Sequence, residues 1–353
     1  MKQLFVMLLC ILCVGCGGYV KKDMLNESIE RSLTSSRQYA DSLEQRFDDS
    51  ICILSERVDS LAGLIAEQSE RFKEYRKNVV NYAVPEIVEI CGERVPMDDL
   101  DVRARVLKEL YKMINDQGRC SFNYLLSKRY FPVVTELLWV GQSPLDLKYV
   151  PIVESSLNPK ATSSAKAKGL WQFISSTGRL YQLSQSDYID ERSDLEESTN
   201  AAIRFLNDLY EKFGSWTLAL AAYNSGPGTI EKRLREQRVE SYWDLVLPLE
   251  TEEYVPKIIA TKLILEDPGL YGIDPGAFSE WERVESDTVT VKVRSKLNVV
   301  DVAEWTGTTY RHIRQLNPQL SKEAWPKGTY TITIPYGTRE QFQQSLEDFR
   351  KGK

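Results

Sequence analysis

The sequence predicts a mainly α-helical protein with a long N-terminal helix, a helical middle region and a small βααβ unit near its C-terminal end. Three observations support this prediction. Residues 24–80 contain no proline and carry apolar side chains in a seven-residue repeat. Helical apolar patterns then dominate up to about residue 267, and after Gly276 β-branched residues alternate with polar ones, as in strands.

Composition excludes several function classes. The chain has 353 residues, of which 42% are apolar, which is typical of a folded protein with about two domains. The net charge of -6 gives no reason to expect nucleic acid as a partner. His312 is the single histidine, which argues against serine–histidine or cysteine–histidine catalysis and against histidine-rich metal sites. We therefore expect chemistry based on carboxylates, without a metal or a cofactor.

Residues 1–15 have the pattern of a lipoprotein signal peptide. Lys2 supplies a positive charge, and the apolar run from Leu4 to Val14 is too short to span a bilayer as a stable helix. Gly15 precedes Cys16, as in a bacterial lipobox. We interpret Cys16 as a lipidated residue that anchors the chain to a membrane outside the cytoplasm. The alternatives are an ordinary secretory signal and an uncleaved anchor.

Residues 16–84 are predicted to form a tether and a long helix. Two sets of residues recur every seven positions and lie four positions apart, as at the a and d positions of a coiled coil. They are Phe47, Leu54, Leu61, Gln68 and Tyr75, and Ile51, Val58, Ile65, Phe72 and Val79. Two interpretations stay open: a coiled-coil stalk that self-associates through residues 40–80, or a single helix whose apolar stripe packs on the rest of the protein.

Residues 85–275 are predicted to form one mostly helical domain after a short connector, Cys91 to Pro96. Helices are expected from Asp101 to Asn115, Thr199 to Phe213, Trp216 to Asn224 and Glu252 to Glu266. Gly214 is expected to end the second helix and Ser215 to cap the third. The third helix is apolar all round, which predicts a buried element.

Residues 276–337 are predicted to form the βααβ unit. Its expected strands and helices are Thr288 to Val293, Val299 to Trp305, Tyr310 to Leu316 and Gly328 to Pro335. Residues 338–353 are predicted to be a polar helical tail. A disulfide between Cys91 and Cys120 is left open, because sequence spacing cannot decide it.

The candidate acid is Glu154. It follows an apolar run from Tyr149 to Val153, and Pro159 and Gly169 keep the next segment from forming a helix. A carboxyl group among apolar neighbours is disfavoured as an anion, so its pKa rises and it can hold a proton near neutral pH. A salt-bridged or helix-capping role is nevertheless commoner for any single glutamate.

Three further segments supply other groups that a polysaccharide site needs, namely amides, hydroxyls and aromatic faces. They are Gly169 to Phe173, Ala221 to Gly228 and Thr251 to Pro256. Each also has a structural interpretation: Tyr223 and Tyr254 as half-buried core residues, Asn224 as a helix cap and Trp171 as packing.

In order and spacing, four motifs of this chain resemble those of lytic murein transglycosylases of the membrane-bound D type, whose catalytic domain is similar to goose-type lysozyme. The motifs are Glu154-Ser155, Gly169-Leu170-Trp171-Gln172, Ala222-Tyr223-Asn224-Ser225-Gly226 and Glu253-Tyr254-Val255. The resemblance runs from about Pro85 to Pro268. The C-terminal βααβ unit resembles a LysM module, a peptidoglycan-binding fold.

This resemblance implies a peptidoglycan glycan strand as substrate, cut between N-acetylmuramic acid and N-acetylglucosamine. Glu154 would protonate the glycosidic oxygen and then take the proton of the C6 hydroxyl, so that a 1,6-anhydro ring closes without water. The motifs offer no partner carboxylate to act as nucleophile or base, which fits stabilisation of the oxocarbenium-like centre by the substrate's own N-acetyl group. The positions that match sugar-contacting or orienting residues are Ser163, Gln172, Tyr223, Asn224 and Tyr254. Of these, Tyr254 is the best candidate for a hydrogen bond to Glu154 or to the acetamide.

The chain departs from the family pattern at four places, of which Ser225 in place of the more common alanine is a mild change. Lys166 stands where glycine is usual and Lys168 where a small residue is usual. These cations would either lower the pKa of Glu154 or face outward toward the stem-peptide carboxylates of the substrate. In the LysM-like unit, Arg294 to Asn298 replaces the usual glycine-aspartate turn.

We therefore predict an envelope lipoprotein on the periplasmic side, at the outer membrane, with peptidoglycan and a membrane as partners. Two alternative functions stay open. One is a hydrolytic muramidase that cuts the same bond with water. The other is a non-catalytic peptidoglycan-binding scaffold, which would have no need of the acid Glu154.

Overall fold

The computed structural model describes residues 22–80, 84–278 and 285–351 and divides the chain after Val80 into two compact units. In the first unit, helix α1 runs over Lys22–Val80. The predicted heptad residues Ile51, Val58 and Ile65 are exposed along it. Whether α1 self-associates stays a prediction. The predicted signal peptide and Cys16 lie outside the described residues. Within the three described ranges, every helix is too short or too polar to cross a membrane.

The second unit begins with a β-hairpin where the sequence predicts only a connector. Strand β1, Val88–Ile90, pairs antiparallel with β2, Glu93–Val95. The two-residue turn between them has positive φ at both Cys91 (54°) and Gly92 (80°), the geometry that tight hairpins prefer. The thiols of Cys91 and Cys120 are both free, so the disulfide that the sequence leaves open is not formed.

Eight α-helices build the middle region within the described residues 84–278, and the prediction of a mainly α fold is confirmed. They are α2 Leu100–Asn115, α3 Gln117–Val140, α4 Val150–Ser155, α5 Ser175–Leu180, α6 Leu195–Phe213, α7 Trp216–Ser225, α8 Pro227–Gln237 and α9 Leu249–Glu266. Two helices, α6 and α9, begin at least three residues earlier than predicted. The Asp194 side chain caps α6 by accepting from the Glu197 N–H, and α9 starts directly after Pro248. Both starts lie before the first residue of the apolar pattern.

Helix α7 forms the centre of this domain, as its apolar sequence predicts. Every residue from Trp216 to Ala222 is buried. Ser215 caps the helix by accepting from the Leu218 N–H, as predicted. Small alanine side chains let α6 and α9 pack closely on either side of α7. The C-terminal end of α7, with Tyr223 and Asn224, therefore emerges from a rigid core.

The C-terminal module has the predicted strand–helix–helix–strand order. Strand β3 (Ser286–Asn298) pairs antiparallel with β4 (Ala324–Pro335), and α10 (Val299–Trp305) and α11 (Tyr310–Leu316) connect them. Both strands are longer than the sequence predicts, because β3 continues through an irregularity between Val293 and Lys296. Helix α12, Arg339–Lys351, buries Phe342 and Leu346 against the module core, so this polar-looking segment is packed on the module.

Candidate active site

A cavity of about 950 Å³ opens between α4, the loop of residues 156–173, the end of α7 and the start of α9. All six residues that the sequence singles out for catalysis and substrate binding line this cavity. They are Glu154, Ser163, Gln172, Tyr223, Asn224 and Tyr254. The tertiary structure thus brings together four motifs that are spread over about 100 residues of sequence.

Glu154 is positioned by a short and well-anchored helix. The residues before it in α4, Val150 to Ile152, are buried. Directly after the helix, Ser156 and Leu157 both adopt left-handed backbone conformations, with φ values of 51° and 57°. These two residues end the helix abruptly, so that Glu154 lies in its last turn and faces the cavity.

Tyr254 is the hydrogen-bond partner of Glu154. It is 3% exposed, and its phenolic hydroxyl donates to Oε1 of Glu154. Burial raises the pKa of Glu154 to about 7; the hydrogen bond from Tyr254 opposes this effect, and the negative charge of Glu250 adds to it. Glu154 therefore exchanges its proton near neutral pH, as a general acid that later acts as a base requires.

The end of α7 is tied to both neighbouring elements. The Tyr223 hydroxyl donates to the carbonyl oxygen of Trp171 at 2.6 Å. The Thr251 hydroxyl donates to Oδ1 of Asn224 at 2.8 Å, which joins α7 to the first turn of α9. Burial, followed by the charge of Glu154, raises the pKa of Tyr223 well above its ordinary value, so this residue acts as a neutral hydrogen-bonding group.

The loop of residues 156–173 carries Ser163 and Gln172. The Ser163 hydroxyl accepts from the Ala167 N–H at 3.1 Å, and the Ser163 N–H donates to the Ala167 carbonyl at 3.0 Å. Gln172 adopts a left-handed φ of 50°, and its side-chain amide donates to the Gly169 carbonyl at 2.8 Å. The Ser155 hydroxyl donates to the Leu170 carbonyl at 2.9 Å, which fastens this loop to the end of α4.

The aromatic residues of the site are only partly those that the sequence suggests. Trp171 is fully buried and donates from Nε1 to the Thr199 hydroxyl at 2.9 Å, so it is a core residue. Phe205 lines the cavity instead, with its ring 5.2 Å from that of Tyr223 and 4.9 Å from that of Tyr181. Sequence reasoning missed Phe205, because an apolar residue on an amphipathic helix gives no signal that separates a groove position from a core position.

Neither Lys166 nor Lys168 is among the groups that shift the pKa of Glu154. Lys168 donates from Nζ to the carboxylate of Asp190 at 2.8 Å, so its charge is paired. Lys166 is exposed and has a φ of 59°, in the left-handed region that favours glycine. The left-handed backbone gives a physical reason why a glycine would suit this position.

Sequence reasoning also missed Glu250, one of four further acidic residues that line the cavity beside Glu154. Glu250 lies in the first turn of α9, four residues before Tyr254, so both project from the same face of the helix. Glu253, in contrast, accepts from Lys108, Lys112 and Lys257 at 2.8, 3.1 and 3.2 Å. The hydrogen bond from Lys108 is the main cause that lowers the pKa of Glu253 to about 2. Glu253 is therefore an anion whose ion pairs with Lys108 and Lys112 connect α9 to α2.

Residues 141–246 match the family model described as transglycosylase SLT domain, and residues 287–351 match the one described as lytic transglycosylase MltD, LysM-like domain. Two curated relatives are named membrane-bound lytic murein transglycosylase D, from Escherichia coli K12 and O6:H1. Each is 33% identical over 240 residues, which cover 63% of this chain and 52% of the relative. The chain thus spans about half the length of these relatives.

Among solved structures, the 70 kDa soluble lytic transglycosylase of Escherichia coli is 24% identical, with a TM-score of 0.35, over 44% of this chain and 26% of that chain. The SLT match includes Glu154 and Asn224 and ends before Tyr254.

Proposed function

We propose that this chain is a lytic murein transglycosylase. The premise is its match to the transglycosylase SLT domain at residues 141–246 and to the MltD-type LysM-like domain at residues 287–351. Its substrate is the glycan strand of peptidoglycan, and it cleaves the β-1,4 bond between N-acetylmuramic acid and N-acetylglucosamine. The observation that carries this proposal is the carboxyl group of Glu154, which has a pKa of about 7 and is held by Tyr254 in the wall of a large open cavity.

In the first step, protonated Glu154 donates its proton to the glycosidic oxygen. The bond between C1 of the muramic sugar and that oxygen breaks, and the N-acetylglucosamine leaves with a free hydroxyl group. The positive charge that develops at C1 is stabilised by the acetamide of the same sugar. The hydrogen bond from Tyr254 keeps the acid oriented during this transfer.

In the second step, Glu154 is a carboxylate and accepts the proton of the C6 hydroxyl. The O6 atom bonds to C1 and closes the 1,6-anhydro ring. Glu154 is protonated again, so the cycle needs no water and no second catalytic carboxylate. Asn224, Gln172, Tyr223 and Ser163 supply amide and hydroxyl groups toward the sugar, and Phe205 offers an aromatic face beside them.

The domain assignment follows from this function. Residues 85–275 hold the catalytic site, and the LysM-like module follows it, with α12 packed on its core up to residue 351. The relatives are named as membrane-bound, which supports an envelope location for this chain. Residues 1–15 are the signal peptide, lipidated Cys16 anchors the protein on the periplasmic side of the outer membrane, and α1 is a stalk through which two chains associate.

Mass spectrometry of digested peptidoglycan tests the function. The chain from residue 16 onward, carrying Cys16→Ser for solubility, is compared with the same chain carrying Glu154→Gln. Products that end in 1,6-anhydro-N-acetylmuramic acid, absent with Glu154→Gln, are the expected result. Reducing ends would mean a muramidase, with Glu250 as the first residue to test as its base. Binding to sacculi without any product would make the scaffold the better interpretation.

A further inference from the structure

The LysM-like module pairs with the catalytic domain at a short segment, Tyr188 to Asp190. Ile189 forms an antiparallel bridge with Leu320, which lies between α11 and β4 of the module. The Asp190 N–H donates to the Gln319 carbonyl at 2.9 Å, and the Ser321 N–H donates to the Tyr188 carbonyl at 2.9 Å. The Ile189 side chain packs against the apolar core of the module. The module therefore binds this segment both by backbone pairing and by apolar burial.

Asp190, the last residue of this segment, is the centre of a buried ionic cluster. Its carboxylate accepts from Nε and Nη2 of Arg192 at 2.8 and 2.7 Å and from Nζ of Lys168 at 2.8 Å. Asp190 and Arg192 are 7% and 6% exposed. A bidentate pair of this kind fixes the orientation of both side chains.

Arg192 extends the cluster into the loop of the candidate active site. Its Nη1 donates to the carbonyl oxygens of Lys166 and Phe173 at 3.0 and 3.2 Å. Gly169 lies directly against the same segment, since a Cβ built at Gly169 would be 1.7 Å from the Arg192 carbonyl oxygen. The part of the loop that carries Gln172 is thus held between these contacts.

This loop depends on outside support for its shape. Lys166 and Gln172 both have left-handed φ values, 59° and 50°, which side chains other than glycine adopt only when the surrounding structure imposes them. Two reciprocal backbone hydrogen bonds between Lys168 and Phe173, at 3.0 and 3.1 Å, close the turn. A movement of Arg192 would remove its hydrogen bonds to the carbonyls of Lys166 and Phe173, which hold the backbone on both sides of Gln172.

We propose that the LysM-like module is a positioning element of the active site: its contact with Ile189 fixes Asp190 and Arg192, which hold the loop that carries Ser163 and Gln172. This inference rests on the proposed function, because it assigns the loop to substrate binding. It follows that cleavage of glycan fragments too short to reach the module still depends on the module being docked.

Ile189→Asp in the full chain tests this inference, since it places a charge against the module core and leaves every cavity-lining residue unchanged. The matched control is Val300→Asp, at a module position that is 46% exposed. Ile189→Val is the conservative rescue. Peptide-level amide hydrogen exchange is measured over residues 161–173 and over α7, together with kcat and KM on short soluble glycan fragments and the pH profile.

We expect Ile189→Asp to accelerate exchange over residues 161–173 and to lower kcat/KM about tenfold, mainly through KM. The pH profile should be unchanged, because the partners of Glu154 are untouched. Val300→Asp and Ile189→Val should behave as the wild type. The inference is overturned if Ile189→Asp leaves kcat/KM and the exchange over residues 161–173 at their wild-type values. In that case faster exchange would be confined to the module and residues 188–190.

Two further outcomes can be distinguished from failure of the inference. If the wild type cleaves no glycan, the proposed function fails, and the exchange data alone still decide whether the module holds the loop. If Ile189→Asp also accelerates exchange in α7, the domain itself is disturbed, and the milder Ile189→Ser decides the question by the same measurements.

Discussion

The hydroxyl of Tyr254 donates a hydrogen bond to the carboxylate of Glu154, a residue 100 positions earlier in the chain. Contacts elsewhere on α9 hold this pair in place: Thr251 bonds to Asn224 at the end of α7, and Glu253 is bound by lysines of α2. Burial raises the pKa of the acid to about 7 although this bond opposes the shift. The pair therefore combines orientation of the acid with a pKa suited to both proton transfers.

Glu154→Gln is expected to stabilise the folded protein at alkaline pH and to leave its stability nearly unchanged at about pH 4. The folded-state pKa of about 7 lies above the ordinary glutamate value, so the folded state keeps a proton that the unfolded chain releases. The wild type is then most stable below the unfolded pKa and loses about 3 kcal/mol as the pH rises from that value to about 7. Urea unfolding from pH 4 to pH 9 measures the difference.

Glu323→Gln, on the exposed surface of the module, is the control for this measurement and should follow the wild type. Parallel pH dependences for the wild type and Glu154→Gln would contradict the raised pKa.

Tyr254→Phe should move the alkaline limb of the pH profile of kcat/KM to higher pH. The hydrogen bond from Tyr254 lowers the pKa of Glu154, so its loss raises that pKa further. Activity at the optimum should fall about tenfold to a hundredfold, because the acid is no longer oriented. Tyr310→Phe, in the module, is the matched control, and a limb that stays in place would argue against the role of this bond.

Glu250→Gln should shift the alkaline limb of the pH profile of kcat/KM to lower pH, opposite to the effect of Tyr254→Phe. The charge of Glu250 contributes to the raised pKa of Glu154, so its removal lowers that pKa and moves the limb to lower pH. Cleavage should persist, since the proposed mechanism needs one carboxylate. Loss of all turnover, in a variant that unfolds at the wild-type urea concentration, would instead assign Glu250 as a base and favour hydrolysis.

Gly169→Ala is expected to destabilise the protein by about 3 kcal/mol and to displace the loop. The new Cβ would lie 1.7 Å from the Arg192 carbonyl oxygen, and the φ of 82° is itself unfavourable for alanine. Gly118→Ala, in α3 with no atom within 4 Å of the added Cβ, should be tolerated or slightly stabilising. Thermal and urea unfolding compare the two variants, and equal effects would refute the close approach at Gly169.

Lys166→Gly should raise the stability by about 0.5 kcal/mol. Relief of the left-handed conformation at φ 59° gains about 1–2 kcal/mol, of which the greater flexibility of glycine in the unfolded chain cancels about 0.4–1 kcal/mol. Lys160→Gly, at an exposed loop position with an ordinary φ, should be neutral or destabilising. A destabilised Lys166→Gly would mean that the lysine side chain makes contacts that outweigh the backbone strain.

Local signals in the sequence predict local structure well. The bounds of α10 and α11 agree with the prediction, and Ser215 caps α7 as expected, because caps and apolar periodicity act within one or two turns of a helix. The hairpin at Cys91 was not predicted, since its strands are only three residues long. The starts of α6 and α9 were misplaced, because their first turns lie outside the apolar stripe.

The sequence by itself determined the mainly helical fold, the acid Glu154 and the motif residues that surround it, because these depend on residue type and short-range spacing. Only the tertiary structure decided which side chains meet. In the folded structure, Lys168 forms an ion pair with Asp190, Trp171 is buried in the core and Phe205 lines the cavity. Such contacts join residues far apart in sequence, and they depend on how whole helices pack, which no local pattern encodes.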